Sequence, residues 1–297
     1  MTARRKQFIK TLRKDWGWYF FILVPVVGTV MFNFYPIVLS FIESLKNSKG
    51  MFIGFTNYKI LFTDSLFFTS IINTVYMGLL TLIFNVPLAF LFANMLNRIV
   101  RGKNFFKVVF LLPMIMSIVT VALIFKFIFN ADPNGLMNAF LRVFGIAPLK
   151  WFSSIHMARE SVVVMNIWKN LGYNVILFFA GLQSIPFEPY EAASIDGANE
   201  WQKLRYITWP GIRNTFIFVY ITTTISVLKR FTDVYAISGQ DGNPGNALLT
   251  VILYIYRKCF ATTSYTDVGV GSAAAIILLL LILVITLINL RISNNKN

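Results

Sequence analysis

The sequence predicts an all-α integral membrane protein with six transmembrane helices and both termini in the cytoplasm. Three observations carry that expectation. The chain is 57% hydrophobic and only 13% charged, where a soluble domain carries about 25% charged residues. Its apolar residues gather into stretches of the length, roughly 20 residues, that crosses about 30 Å of hydrocarbon. Its Lys and Arg residues fall unevenly between alternate connections, as short cytoplasmic loops require.

The stretches follow in order. The first, at about 18–39, comes after a basic tail at 1–17. Trp16, Trp18, Tyr19 and Phe20 stand where an interfacial aromatic belt anchors a span. It is too long for a signal peptide and lacks a small-residue cleavage site, so it is expected to stay on the chain. Further spans are expected at about 69–97, 105–129, 161–182, 214–238 and 269–290, followed by a short tail at 291–297. Pro25, Pro36, Pro87 and Pro113 fall within them, which membrane helices tolerate when neighbours satisfy the freed carbonyls. Gly269, Gly271, Ala273 and Ala275 give the last span a small-residue face suited to close helix packing.

Orientation follows from the cations. The tail (Arg4, Arg5, Lys6, Lys10, Arg13, Lys14), the 98–107 connection (Arg98, Arg101, Lys103, Lys107), the segment before the fifth span (Lys203, Arg205, Arg213) and the C-terminus (Arg291, Lys296) hold fifteen. The opposite loops hold eight: Lys46, Lys49, Lys59, Arg142, Lys150, Arg159, Arg257 and Lys258. The fifteen belong inside the cell.

That bias also accounts for a formal net charge of +15. No basic helix interleaved with aromatics lies outside the apolar runs, so nucleic acid is not an expected partner. Cys259 and His156 are the single residues of their kinds. An intrachain disulfide and a Cys/His metal cluster are therefore excluded, and a Ser-His-Asp site has no nucleophile signature to build on. No GxxxxGK[ST] phosphate loop occurs, so the chain is not expected to be an enzyme or to hydrolyse ATP itself.

Between the fourth and fifth spans, residues 184–210 form a hydrophilic segment that reads as a helical hairpin. Ser184 is placed to cap a first helix, with Pro186 in its first turn and Glu188 near its positive end. Gly197 supplies the left-handed conformation that stops that helix. Asn199 and Gln202 have capping-box spacing for a second, with Trp201, Leu204 and Ile207 on one face and Pro210 at its end. Such a hairpin either lies on the bilayer surface or docks a partner.

The run Glu191-Ala192-Ala193, then Gly197, then Ile207 and Pro210, resembles the EAA motif (EAA-x3-G-x9-I-x-L-P) of ABC importer permeases. The longer string around it is similar to the carbohydrate-uptake branch, the maltose- and glycerol-phosphate-type permeases. Trp209 departs from the usual Leu. Further likeness runs through 54–62, 73–82, 110–117 and 230–238, so the resemblance covers about 18–290. It implies the maltose-type permease fold and a coupling role for Glu191, Ala192, Ala193, Asp196, Gly197, Ile207 and Pro210. The implied partners are a second homologous permease, expected as a heterodimer, two ATPase subunits that bind the ATP and Mg, and an extracellular or periplasmic solute-binding protein received by the outer loops. The implied location is a bacterial or archaeal cell (inner) membrane. Import of a sugar or oligosaccharide by alternating access is the implied activity.

Ionisable groups inside spans are costly and usually face protein or water. Asn166, Lys169, Asn170, Tyr173 and Asn174 share one face of the fourth span. Thr222, Ser226, Lys229, Arg230 and Asp233 form a similar stripe on the fifth. These stripes are expected either to line a hydrated route for a sugar or to pack against a second permease, with Lys229 and Asp233 as a buried i,i+4 pair. The cations leave glycerol phosphate open as a substrate. A scaffold that docks an ATPase without transporting is the competing function. A secondary carrier would call for internal repeats, which are not seen.

Overall fold

The computed structural model describes residues 16–98, 101–261 and 267–294. The tail cations from Arg4 to Lys14, and Lys296, lie outside the described residues. Among the described residues the regular structure is helical, save an antiparallel bridge between Lys46 and Phe52.

Helix α1 (Gly17–Ser44) is membrane-long, and its most apolar window is wholly unburied. A π turn at Val30–Phe34 precedes Pro36, whose missing N–H deprives Phe32 of its helical donor. A short α2 (Thr56–Thr63) is tied back to the end of α1 by Asn57, whose Nδ2 donates to the carbonyls of Ser44 at 2.8 Å and Lys46 at 2.7 Å. Then come α3 (Ser65–Arg98), α4 (Lys103–Ile115), α5 (Ile118–Ile128), α6 (Leu136–Val143) and α7 (Ala158–Gln183). The hairpin is α8 (Glu188–Ile195) and α9 (Glu200–Gly211). It leads to α10 (Arg213–Leu228), α11 (Thr232–Ser238), α12 (Val251–Phe260) and α13 (Val268–Asn294).

Four of the expected spans lie within single membrane-long helices: α1, α3, α7 and α13. The other two are each carried by more than one helix. The stretch 105–129 breaks between Ile115 and Ile118 and bends by 96°. The helix runs on past Pro113 to Ile115, and the break comes where Met116 and Ser117 adopt extended ψ of 143° and 139°. The stretch 214–238 also is not one helix. It is interrupted after Leu228 and restarts at Thr232, and a 67° bend separates it from α9. Helix α12, in the loop before the last span, is not superficial: Leu253 and Tyr254 are fully packed.

Two hydrophobic cores stack along the bundle. One, toward the long loops, joins Phe67, Met77, Val121, Trp151, Met165, Tyr254 and Ala273. The other, toward the hairpin, joins Val86, Ala93, Val175, Phe178, Leu182 and Ile212. The small residues of α13 allow close approach: a Cβ on Gly269 would collide with Asn57 and the Lys46 carbonyl, and one on Gly271 with Cys259. On α3 and α7 the two cores are separated by polar side chains, Thr81 and Asn85 on one helix and Asn166 through Asn174 on the other.

Candidate functional site

That polar layer encloses a cavity of about 100 Å³ lined by Thr81, Asn85, Asn166, Asn170, Tyr173, Asn174, Thr222, Thr223, Ser226 and Val227. Both predicted stripes meet there. Asn174 is the buried centre: its Nδ2 donates to Asn85 Oδ1 at 2.6 Å and to Thr223 Oγ1 at 3.2 Å. The amide therefore ties α7 to α3 and α10 at once. Buried amides that miss their partners cost about 1–3 kcal/mol each, so this network holds three helices in one register. Thr81 and Asn85 were not singled out in the sequence. Their signal was there, as hydroxyl and amide four residues apart that extend the Ser70–Thr74 face of the second span.

Lys169 and Asp233 are placed elsewhere. Lys169 sits at the edge of the α7 stripe, where the break in the third span leaves helix-end carbonyls open. Its Nζ donates to Met114 O at 3.0 Å and Met116 O at 2.9 Å, a cation at a helix C-terminus. Lys229 is exposed and does not line the cavity. The expected Lys229–Asp233 pair is replaced by Arg230 and Asp233, at 3.4 Å and nearly fully buried. The helix stops at Leu228, so i,i+4 geometry no longer applies to residue 229. Asp233 also accepts from Asn166 Nδ2 at 2.8 Å, and Arg230 Nη2 donates to Thr81 Oγ1 at 2.8 Å. The ion pair thus braces the cavity from outside. Among the described residues no group of three His, Cys, Asp or Glu side chains is placed to hold a metal.

The hairpin lies at the opposite end from the long loops. Its first helix starts at Glu188 with Pro189 in the first turn, and Phe187 at the cap position makes no side-chain bond. Ser184 does not cap it; its Oγ donates back to Gly181 O at 2.7 Å, ending α7. Glu188 and Glu191 lie in the first turn of α8, where the helix dipole favours them. Gly197 has φ +76°, and Ala198 N–H donates to Ala193 O at 2.8 Å as the chain reverses. Asn199 and Gln202 form a reciprocal capping box. The second helix ends at Gly211, one residue past Pro210. A π turn at Leu204–Thr208 precedes it and the chain turns at Ile212. That wider turn rotates the expected apolar face, leaving Leu204 and Ile207 half-buried while Trp201 stays exposed.

Of the motif positions, Glu191, Ala192, Asp196, Gly197 and Pro210 are exposed, and Ala193 and Ile207 are half-buried. Ile195 is 86% exposed, Tyr206 70%, Phe187 69% and Trp201 67%. Four large apolar side chains are thus bare on a polar hairpin. Under it runs a groove of about 910 Å³ bounded by the ends of α3 and α7, including Asn94, Asn97, Arg98 and Gln183. Arg98 reaches Glu200 at 2.9 Å, Tyr190 bonds Thr208 at 2.9 Å, and Gln183 Nε2 donates to Asn97 Oδ1. The Arg98–Glu200 pair thus pins the hairpin to α3, Tyr190 and Thr208 join its two helices, and Gln183 and Asn97 tie the ends of α7 and α3 to each other, while the far face of the hairpin stays exposed. Asn94, Asn97 and Arg98 were legible only as a polar face closing the second span.

Residues 85–295 match the family model described as binding-protein-dependent transport system inner membrane component. The chain is 34% identical over 279 residues to the arabinooligosaccharides transport system permease protein AraP of Bacillus subtilis (strain 168), covering 93% of this chain and 88% of that protein. It is 32% identical over 292 residues to the multiple sugar-binding transport system permease protein MsmF of Streptococcus mutans, covering 96% and 97%. Among solved structures, a chain of a bacterial ABC transporter involved in the import of the acidic polysaccharide alginate superposes with a TM-score of 0.86. That chain is 26% identical and the match covers 97% of this chain and 99% of that one. The alginate ABC transporter in complex with an alginate pentasaccharide-bound periplasmic protein matches similarly, with a TM-score of 0.85 at 25% identity.

Proposed function

The chain belongs to the binding-protein-dependent transport system inner membrane component family, and from that premise we propose that it is the permease subunit of an ATP-driven importer of sugars or oligosaccharides. The bare hairpin carries this reading. A membrane bundle that exposes Phe187, Ile195, Trp201 and Tyr206 beside Glu191 and Asp196 at one end has built a docking surface. The partner there is an ATPase, which supplies the ATP and Mg, while this chain supplies the path. Closure of two such ATPases would drive the hairpins and, through the Arg98–Glu200 pair, the end of α3, which Gln183 and Asn97 couple to the end of α7. Both termini and the hairpin then face the cytoplasm, in a bacterial or archaeal cell membrane.

A sugar suits the cavity because every polar group lining it is an amide or a hydroxyl, the groups that exchange hydrogen bonds with sugar hydroxyls. Lys169 and Arg230 are occupied with backbone and Asp233, which weakens the case for glycerol phosphate. At about 100 Å³ the cavity is smaller than the roughly 300–1,000 Å³ of ligand pockets, so it is read as one wall of a path that a second, homologous permease completes. The unburied flank of α1 gives that second subunit, or lipid, a surface to cover. The far loops would receive a solute-binding protein, as the alginate transporter does in its complex.

A reporter cysteine at Ser194, in a Cys259→Ala background, tests sidedness directly. A membrane-impermeant maleimide should label it only in inside-out vesicles, and ATPase docking should protect it. Labelling from outside would sink the assignment. Uptake in proteoliposomes that required both ATPase and binding protein would exclude a non-transporting scaffold and a self-sufficient carrier.

A further inference from the structure

Helix α6, in the loop between the broken third span and α7, carries an apolar stripe that no residue described in this chain covers. Leu136, Phe140, Val143 and Phe144 recur at i, i+4, i+7 and i+8 and are 55, 58, 80 and 66% exposed. The opposite side is locked. Met137 and Leu141 pack on the core, and Asn138 is fully buried. The Nδ2 of Asn138 donates to the carbonyls of Asn130, Asp132 and Leu149, and its Oδ1 accepts from Leu149 N–H and Trp151 Nε1–H. An amide saturated in this way fixes the roll of the helix, so the stripe points outward by construction.

Its depth follows from what Asn138 holds. Trp151 stacks on Phe129 at 4.5 Å, just before α7 begins at Ala158. With 26 residues, α7 rises about 39 Å, close to the roughly 40–45 Å of a bilayer with its headgroups. Helix α6 is therefore tied to the level where α7 leaves the membrane, at the end away from the hairpin. The preceding helix α5 also carries an exposed apolar row. Val119, Leu123 and Phe127 on α5 are 57, 62 and 70% exposed at the same four-residue spacing. Arg142 and Lys150 stand exposed beside it. The nearby Asp132 is turned to its own loop, accepting from Asn134 N–H at 2.7 Å.

We propose that α6 is an in-plane membrane anchor, with its Leu136–Phe144 stripe sunk into the acyl–headgroup boundary and Arg142 and Lys150 on anionic headgroups. Amphipathic helices of this composition bury their apolar face about 5–10 Å at that boundary. Aromatic rings such as the Phe140–Phe144 edge-to-face pair, 5.2 Å apart, suit the same depth. The anchor would hold the outer end of the broken third span while the rest of the bundle reorients.

The test uses the full chain, carrying Cys259→Ala, assembled with its partner subunits in proteoliposomes of phosphatidylcholine and phosphatidylglycerol. Nitroxides are placed at Val143→Cys and Phe144→Cys, with references at Leu287→Cys on α13 and Asp132→Cys in the loop. Both stripe labels should collide more often with oxygen than with a nickel chelate, as at Leu287, and show a several-fold loss of nickel collisions relative to Asp132. Nickel access at both stripe positions, with Leu287 still in lipid, would overturn the anchor and leave the transport reading intact. Shielding from both relaxants would also overturn it, because a protein surface would then cover the stripe.

Discussion

Replacing Gly172 by alanine probes how the broken third span is held. An alanine Cβ there would lie 2.5 Å from the carbonyl carbon of Phe110, 3.3 Å from its Cα, and closer still to its oxygen. Carbon atoms rest at about 3.5–4.0 Å, so α4 and α7 must part by about 1 Å. Neither backbone yields easily, because both residues sit inside helices. One turn away Lys169 spans the same gap, with bonds of 3.0 and 2.9 Å to Met114 and Met116, and a separation of that size stretches them beyond useful length. Overpacking costs about 1–3 kcal/mol, and each charge-assisted bond adds about 1.5–3 kcal/mol. A loss of about 3 kcal/mol or more is expected. Lys169→Met removes the bonds without the clash, so the double variant should cost less than the sum of the singles. Thermal unfolding of the purified complex in mild detergent, followed by labelling of Cys259, reads all three. Wild-type stability for Gly172→Ala, or strict additivity, would refute the contact.

Asn174→Leu should cut uptake while ATPase copurification persists, since it strips Asn85 and Thr223 of their shared partner; unchanged uptake kinetics would remove the cavity from the path. Because the Arg98–Glu200 pair is exposed, Arg98→Glu or Glu200→Arg should change stability by under about 1 kcal/mol. Each should nevertheless lower solute imported per ATP hydrolysed, and the charge swap should restore it. Gly197→Val forces a β-branched residue to φ +76°, a cost of about 1–2 kcal/mol that should reduce ATPase docking in a pull-down. Burial works to raise the Asp64 carboxyl, but the Tyr254 hydroxyl, the Leu66 N–H and the Lys258 ammonium outweigh it and hold it below the usual range. Its stabilisation is therefore present above the ordinary carboxylate pKa and fades as pH falls through the lowered folded value. Acid unfolding curves of Asp64→Asn should lack that component.

Part of the site could be read from single residues. Gly197 announced a left-handed stop, Asn199 and Gln202 announced a capping box, and Asn166, Asn170, Tyr173 and Asn174 announced a polar face on an apolar helix. These are signals that one helix carries within itself. Where the reading went astray, a second element was involved. Lys169 looked like a pore residue until the open carbonyls of the broken span claimed it. Arg230, not Lys229, met Asp233 because the helix between them stops.

The amino-acid sequence alone determined that the chain is a helical membrane protein with a hydrophilic hairpin between its fourth and fifth apolar stretches. Hydrophobic length and local cap chemistry are properties of contiguous residues, and solvent acts on them directly. Only the tertiary structure decided that the third span bends by 96°, that Thr81 and Asn85 close the polar layer, and that Arg98 holds the hairpin through Glu200. A buried hydrogen-bonding group must find a partner wherever the fold brings one, and that partner can stand scores of residues away: 89 separate Asn85 from Asn174.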